Sequence, residues 1–249
     1  MIALRSTPDI DAIARAGAII GRLHEALAQR IEPGVTTQAL DEFGDGFIRS
    51  HKGAVPAFKG LYGFPASLCI SVNEEVVHGI PSNRRALRSG DIVTVDAGVK
   101  LDGWFADAAY TFPVGDIDAE TERLLQVTRD ALDAGIAAAR PGNHLGDIGH
   151  AVQQVAESAG FTVVRDLVGH GIGREPHEEP QVPNFGRPGR GLALRPGLVI
   201  AIEPMVNAGT AAVRTLADRW TVVTADRKRS AHYEHTVAVV DGGARVLTG

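Results

Sequence analysis

With 249 residues, 44% of them hydrophobic and 22% charged, the chain has the composition of a soluble globular protein of one large domain or two small ones. A formal net charge of −5 argues against a broad nucleic-acid-binding face, so DNA is not an expected partner, and basic runs such as Arg84-Arg85 and Arg227-Lys228-Arg229 read as solvated loops. The single cysteine, Cys69, rules out an intrachain disulfide and a thiolate metal cluster; with no signal-peptide pattern and no apolar run approaching ~20 residues, the expectation is a cytoplasmic protein without a membrane partner.

Ser6-Thr7-Pro8 opens the first predicted helix, a capping hydroxyl followed by a proline suited to a first turn. Ile10, Ile13, Ile20, Leu23, Leu27 and Ile31 then recur at helical spacing up to Pro33-Gly34. Thr36 or Thr37 caps a second helix carrying Leu40, Phe43 and Phe47 and ending near Gly53. From Ser67 the pattern turns to short β-rich runs, LCISV, VVHGIP and DIVTVDAGV. Asp102-Gly103 is a two-residue hairpin turn, with WFADAAYTF returning as the partner strand. After Gly115 the order begins again. Asp118 caps a long helix ended by Pro141-Gly142, a shorter helix runs to Gly160, and FTVV, LVIAIEP, WTVVT and YEHTVAVV follow as strands.

That repetition is also visible in the letters. LRSGDIVTVDA (residues 87–97) aligns with LRPGLVIAIEP (residues 194–204), placing Asp96 where Glu203 falls, an offset of 107 (203 − 96). The helix-ending Pro-Gly pairs repeat at 108 (141 − 33). Two features at one spacing point to a single domain over residues 1–249, built of duplicated halves, about 1–115 and 116–249, around a pseudo-two-fold axis.

Strand parity then gathers the acids. A tight turn at 102–103 pairs Gly98 with Asp107, so Asp96 and Asp107 share a face as diagonal neighbours roughly 7–8 Å apart by Cα. Glu203 and Glu234 lie in comparable strand-like runs, and DLVGHGIGREPHEEP supplies His170 and His177 in a Gly-rich segment that reads as a loop carrying imidazoles to a ligand. For any one acid, exposure on a solvent face is the ordinary explanation. Together, four carboxylates and an imidazole with no thiolate suit divalent ions preferring oxygen and nitrogen donors. Against the −4 of four carboxylates, one divalent ion leaves −2 and two leave zero, which favours a paired site of hydrolytic type.

The segments VVHGIP, VTVDAGV, WFADAAYTF, GHGIG…PHEEP, AIEPM and YEHTV resemble those of the type I methionine aminopeptidases, in that family's order over nearly the whole chain. The resemblance implies an α+β pita-bread fold, a curved, pseudo-symmetric antiparallel sheet backed by helices. It implies two divalent ions (cobalt, manganese, iron or zinc), with Asp107 and Glu234 bridging, Asp96 on one ion, and His170 with Glu203 on the other. Glu203 would also act as general base, His177 as a donor to the developing oxyanion, and His78 as a contact to the scissile peptide unit. Tyr62, Phe64, Cys69 and Trp220 would line the methionine pocket, with Phe58 beside them. Phe58 stands where many bacterial relatives have cysteine, and Pro176 where they have an aromatic residue, so the expected pocket is narrowed at Phe58 and opened at Pro176. The implied partners are N-termini of nascent polypeptides, met transiently at the ribosome by a monomer.

The remaining histidines, His24, His51, His144, His150, His232 and His235, match no site position and read as surface or core. Two other functions fit parts of the pattern. A proline-specific aminopeptidase or dipeptidase of the same fold usually carries an additional N-terminal domain, and few residues here precede the first helix. A binding protein that has lost catalysis would be expected to have lost ligands, and all five are in place.

Overall fold

The computed structural model describes residues 2–249. Helix α1 (Thr7–Ala28) starts on a capping box in which the Ser6 hydroxyl and the Asp9 carboxylate each satisfy the other's backbone N–H. Its stripe of Ile13, Ile20, Leu23 and Leu27 is fully buried. Helix α2 (Thr37–Arg49) is capped by Thr36, and α3 (Ala119–Ala138) by Asp118, as their sequences predict. Helix α4 spans Leu145–Ser158. Both first-half helices end earlier than expected, α1 at Ala28 rather than near Ile31 and α2 at Arg49 rather than near Gly53. Backbone N–H groups of Arg30 and Ile31 close on Leu27 O, so Ile31 packs from a turn rather than from the helix.

The first-half strands are β1 (Ala54–Pro56), β2 (Leu68–Val72), β3 (Glu75–Val77), β4 (Ile92–Leu101) and β5 (Trp104–Pro113). In the second half follow β6 (Thr162–Val163), β7 (Gly169–Gly171), β8 (Glu178–Val182), β9 (Val199–Ile202), β10 (Met205–Asn207), β11 (Val213–Thr215), β12 (Val222–Thr224), β13 (Ser230–His232), β14 (His235–Val240) and β15 (Gly243–Val246). All pairings are antiparallel. Strand β4 is the axis of one sheet: β5 lies along one side, while β2 and β1 share the other end to end. A second sheet runs β15-β14-β9-β7-β8.

The hairpin register is the one the turn dictates. Asp102 and Gly103 both have positive φ, and Leu101 pairs with Trp104 and Gly98 with Asp107. The recurrence of elements has a counterpart in the backbone. An isolated bridge joins Thr36, the α2 cap, to Ala86, and another joins His144, the α4 cap, to Ala193, at offsets of 108 (144 − 36) and 107 (193 − 86).

Among the described residues no regular ladder covers the outer side of β5. Instead residues 232–236 run along it. Glu234 N–H donates to Ala109 O at 2.9 Å, Asp107 N–H donates to Thr236 Oγ1 at 3.0 Å, and the Thr236 hydroxyl donates to Asp107 O at 2.8 Å. These bonds form a seam that seats Asp107 and Glu234, remote in sequence, next to one another. Two large apolar clusters flank it, one beneath α1 and α2 and one beneath α3 and α4.

Candidate metal centre

On one face of the first sheet, Cys69 pairs with Asp96, and Gly98 with Asp107, so these four residues share a side of the pleat. Gly98 leaves that face open. A Cβ there would lie 2.6 Å from Phe58 Cε1, so the Phe58 ring occupies the space above the glycine, beside the acids. In the second sheet, His235 pairs with Ile202, and one further step of that ladder sets Glu234 opposite Glu203.

The Gly-rich segment is a strand pair rather than the loop its composition suggested. Gly171 pairs with Ile200 on one side and Glu178 on the other. The glycines are required by close approach: a Cβ at Gly169 would sit 2.3 Å from Ala201 O, and one at Gly171 would sit 2.3 Å from Glu179 O. This squeeze brings His170 over the carboxylates. His177, just before β8, is held by an anchor distant in sequence. The Arg5 guanidinium donates to Glu178 Oε2, Arg5 N–H donates to Gly197 O at 2.7 Å, and Glu178 Oε1 accepts Arg174 N–H at 2.7 Å.

The predicted site residues converge. Asp96, Asp107, His170, Glu203, Glu234, His78 and His177 line one cavity of about 570 Å³, together with Tyr62, Phe64, Cys69, Trp220 and Phe58. Pro176 is buried but does not line it. Phe58, Phe64, Ala66 and Cys69 form a buried apolar cluster with Trp220 against it, and the Phe64 and Trp220 rings meet edge to face at 5.1 Å. Phe58 therefore belongs to the inner wall. The aromatic side chain at the mouth is Tyr62, 75% exposed, held at positive φ and stacked on His177 at 6.0 Å. His78 also has positive φ, at the end of β3, where the next residue, Gly79, packs its backbone against Ile70 O.

The electrostatics call for cations. Burial, reinforced by neighbouring carboxylates, pushes Asp96, Glu203 and Glu234 well above the usual carboxylate range, and burial lifts Asp107 to about 7. Burial, assisted by His177 beside it, lowers His170 to about 4, so the ring is neutral. His170 Nδ1 donates to Gly171 O at 3.0 Å, which leaves Nε2 as a lone pair 3.6 Å from Glu203 Oε1 and 3.9 Å from Asp107 Oδ2. Neither distance is a hydrogen bond. Asp96 Oδ1, Asp107 Oδ1 and Glu234 Oε1 are buried without a partner among the described residues. Electron pairs converging this closely with no donor between them fit divalent cations. Three donor sets meet the spacing: Asp96 with Asp107 and Glu234, His170 with Glu203 and Glu234, and Asp107 with His170 and His177; the first two share Glu234.

One histidine contradicts its reading as plain surface or core. His232 is 1% exposed yet lines the cavity, with Nε2 3.8 Å from Glu203 Oε2 and 4.0 Å from Glu234 Oε2. The available signal was the pair His232-x-Glu234, two residues apart and so on one face of an extended chain. By contrast His24 bonds Val95 O, His51 bonds Phe47 O and His235 bonds the Thr248 hydroxyl, all away from the site.

Residues 11–241 match metallopeptidase family M24, and the chain belongs to that family, a class of hydrolases that work with metal. Among its relatives is the methionine aminopeptidase of Clostridium perfringens, 54% identical over all of this chain and 99% of the relative. Methionine aminopeptidase 1 of Mycobacterium tuberculosis is 47% identical over 98% of this chain and 94% of its own. The crystal structure of methionine aminopeptidase from Rickettsia prowazekii superposes with a TM-score of 0.98 at 42% identity, covering all of both chains. The fold is thus the pita-bread architecture expected from the sequence. A prolidase from Pyrococcus furiosus shares that fold at a TM-score of 0.80 and 21% identity, this chain covering 65% of it.

Proposed function

We propose that this chain removes the N-terminal methionine from polypeptides whose second residue is small, by metal-assisted hydrolysis at the centre described above. The observation that carries the reading is the pair of buried donor sets sharing Glu234 at the polar end of a cavity whose other end is the apolar Phe58–Phe64–Cys69–Trp220 wall. Full-length likeness to methionine aminopeptidases supports the same choice.

Two divalent ions would be held by Asp96, Asp107, His170, Glu203 and Glu234. Ions bound there would supply Lewis acidity toward the scissile carbonyl and the attacking water. Glu203, whose proton affinity burial raises, takes the proton of that water at a carboxylate oxygen and delivers it to the departing amine. His177, at the mouth beside His170, donates from its ring N–H to the developing oxyanion, with Tyr62 stacked on its face to hold the ring. His78 reaches the same space and orients the scissile peptide unit. Cys69 serves as a wall rather than a nucleophile, because burial and the nearby acids keep its thiol protonated. On this reading the protein works in the cytoplasm as a monomer on nascent N-termini, meeting the ribosome transiently.

The deciding experiment offers Met-Ala-Ser and Ala-Pro peptides to metal-loaded protein. Cleavage of the first alone is expected; cleavage of the second in preference would transfer the chain to the proline-specific branch of the fold. The wall makes a further prediction. A hydrophobic pocket separates side chains differing by a methylene by only ~1–3 kcal/mol, so leucine peptides should turn over slowly but measurably. Phe58→Cys removes the ring over Gly98 and should change the methionine-to-leucine ratio of kcat/KM while leaving metal affinity unaltered. Equal ratios in the two proteins would remove Phe58 from the pocket.

A further inference from the structure

Two imidazole nitrogens bracket the carboxylate of Glu203. His170 Nε2 faces Oε1 at 3.6 Å, and His232 Nε2 faces Oε2 at 3.8 Å. The two rings are not equivalent. His170 has its proton fixed on Nδ1 by Gly171 O, so its Nε2 can only offer a lone pair and belongs to an ion. His232 has no such constraint: neither of its ring nitrogens has a hydrogen-bond partner among the described residues, and its side chain is 2% exposed.

The ring cannot easily turn away. His232 N–H donates to Thr111 Oγ1 at 3.0 Å, the Thr111 hydroxyl donates to His232 O at 2.7 Å, and the residue pairs with Met205 in the ladder of β13 with β10. Burying two unsatisfied nitrogens at such a fixed place is a cost that packing alone does not explain. The acceptors the ring faces are Glu203 Oε2 and, slightly farther, Glu234 Oε2.

We propose that His232 is a positioning residue: it carries its proton on Nε2 and aims it at Glu203 Oε2, forming a hydrogen bond once that carboxylate closes the present 3.8 Å separation on taking up an ion, with Oε1 turned toward the His170 side of the centre. This rests on the reading of Glu203 as ligand and base. Partners of this kind orient a ligand without binding the ion, and their loss typically weakens metal affinity 10–100-fold.

The test compares the wild type with His232→Gln, which keeps an N–H donor on a side chain of similar reach, and His232→Met, which fills the volume without one. Manganese(II) binding to metal-free protein is followed by calorimetry, and kcat and KM are measured on Met-Ala-Ser. His232→Gln should stay within about threefold of wild type in affinity and kcat. His232→Met should lose roughly 10–100-fold in manganese affinity, and its kcat should fall while KM changes little. Wild-type behaviour of His232→Met overturns the role, as does equal damage in both folded variants. Loss of a whole ion from the stoichiometry of both variants would make His232 a ligand and overturn the donor assignment. If His232→Met fails to fold, His232→Gln decides alone: retained affinity supports the role and lost affinity overturns it. A wild type that binds no manganese would overturn the metal reading itself, whereas equal binding by wild type and His232→Met overturns only the role of His232.

Discussion

Glu203→Gln should lower kcat by about 10²–10⁴-fold, the range for losing a positioned general base, with a further loss from weakened metal binding. The amide is isosteric, so packing is conserved, and Asn184 still donates to Glu203 O at 3.0 Å because that bond reaches the backbone. In metal-free protein the substitution should leave the unfolding midpoint unchanged or raise it. It removes one negative charge from a buried group in which every carboxyl already has its proton affinity raised. Steady-state kinetics at saturating manganese, with thermal unfolding of the apo form, check both halves of the expectation. A kcat within threefold of wild type would take the base away from Glu203. A collapsed midpoint in the apo form would make Glu203 structural.

The second large effect links metal, pH and stability. Asp107 has its pKa raised from 3.8 to about 7 in the folded protein, so the native state binds that proton more tightly than the unfolded chain. Its contribution is present at low pH and is lost as pH rises from 3.8 through about 7. The buried imidazoles have the opposite sign: His170 and His24 are lowered from 6.5 to about 4, and His232 to about 3, so their stability is gained as pH rises through that window. The two trends oppose each other below 6.5. Above it only the carboxylates act, and the metal-free protein should lose stability toward pH 7.5. Cations displace those same protons, so their apparent affinity should climb about tenfold per pH unit for each proton released. At a hundredfold excess over Kd, binding stabilises by about 2.7 kcal/mol. The midpoint increment produced by manganese over chelator should therefore be larger at pH 7.5 than at pH 5.5. An increment independent of pH would mean that the stabilising ions bind elsewhere.

Much of this centre was legible because strands have a period of two. The Asp102-Gly103 turn alone set the register that puts Asp96 and Asp107 on one face, and it needed no knowledge of the rest of the fold. Helix starts were equally readable, since Ser6, Thr36 and Asp118 cap through bonds only three residues long. What escaped depended on distant partners. Glycine has low strand propensity, so 169–171 gave no β signal; it is a strand because the backbones of Ala201 and Glu179 pack where a Cβ would otherwise sit. His232 escaped because its importance comes from the seam against β5, which joins residues 121 apart. The early end of α1 was hidden by Ile31, an apolar residue that still packs on the core after the helix stops.

The clasp between Arg5 and Glu178 ties the stretch before α1 to the hairpin that carries His177, across 173 positions of chain. Helix α1 itself packs on β4 and β5, which are nearer to it in sequence than Glu178 is to Arg5. Order of assembly follows from that difference. Loop-closure cost grows slowly with chain separation, so this clasp is somewhat costlier to close than the α1 contacts until its two ends are already structured. A refolding chain should therefore regain its helices and its carboxylate face before the contact that seats His177, the imidazole proposed above as oxyanion donor.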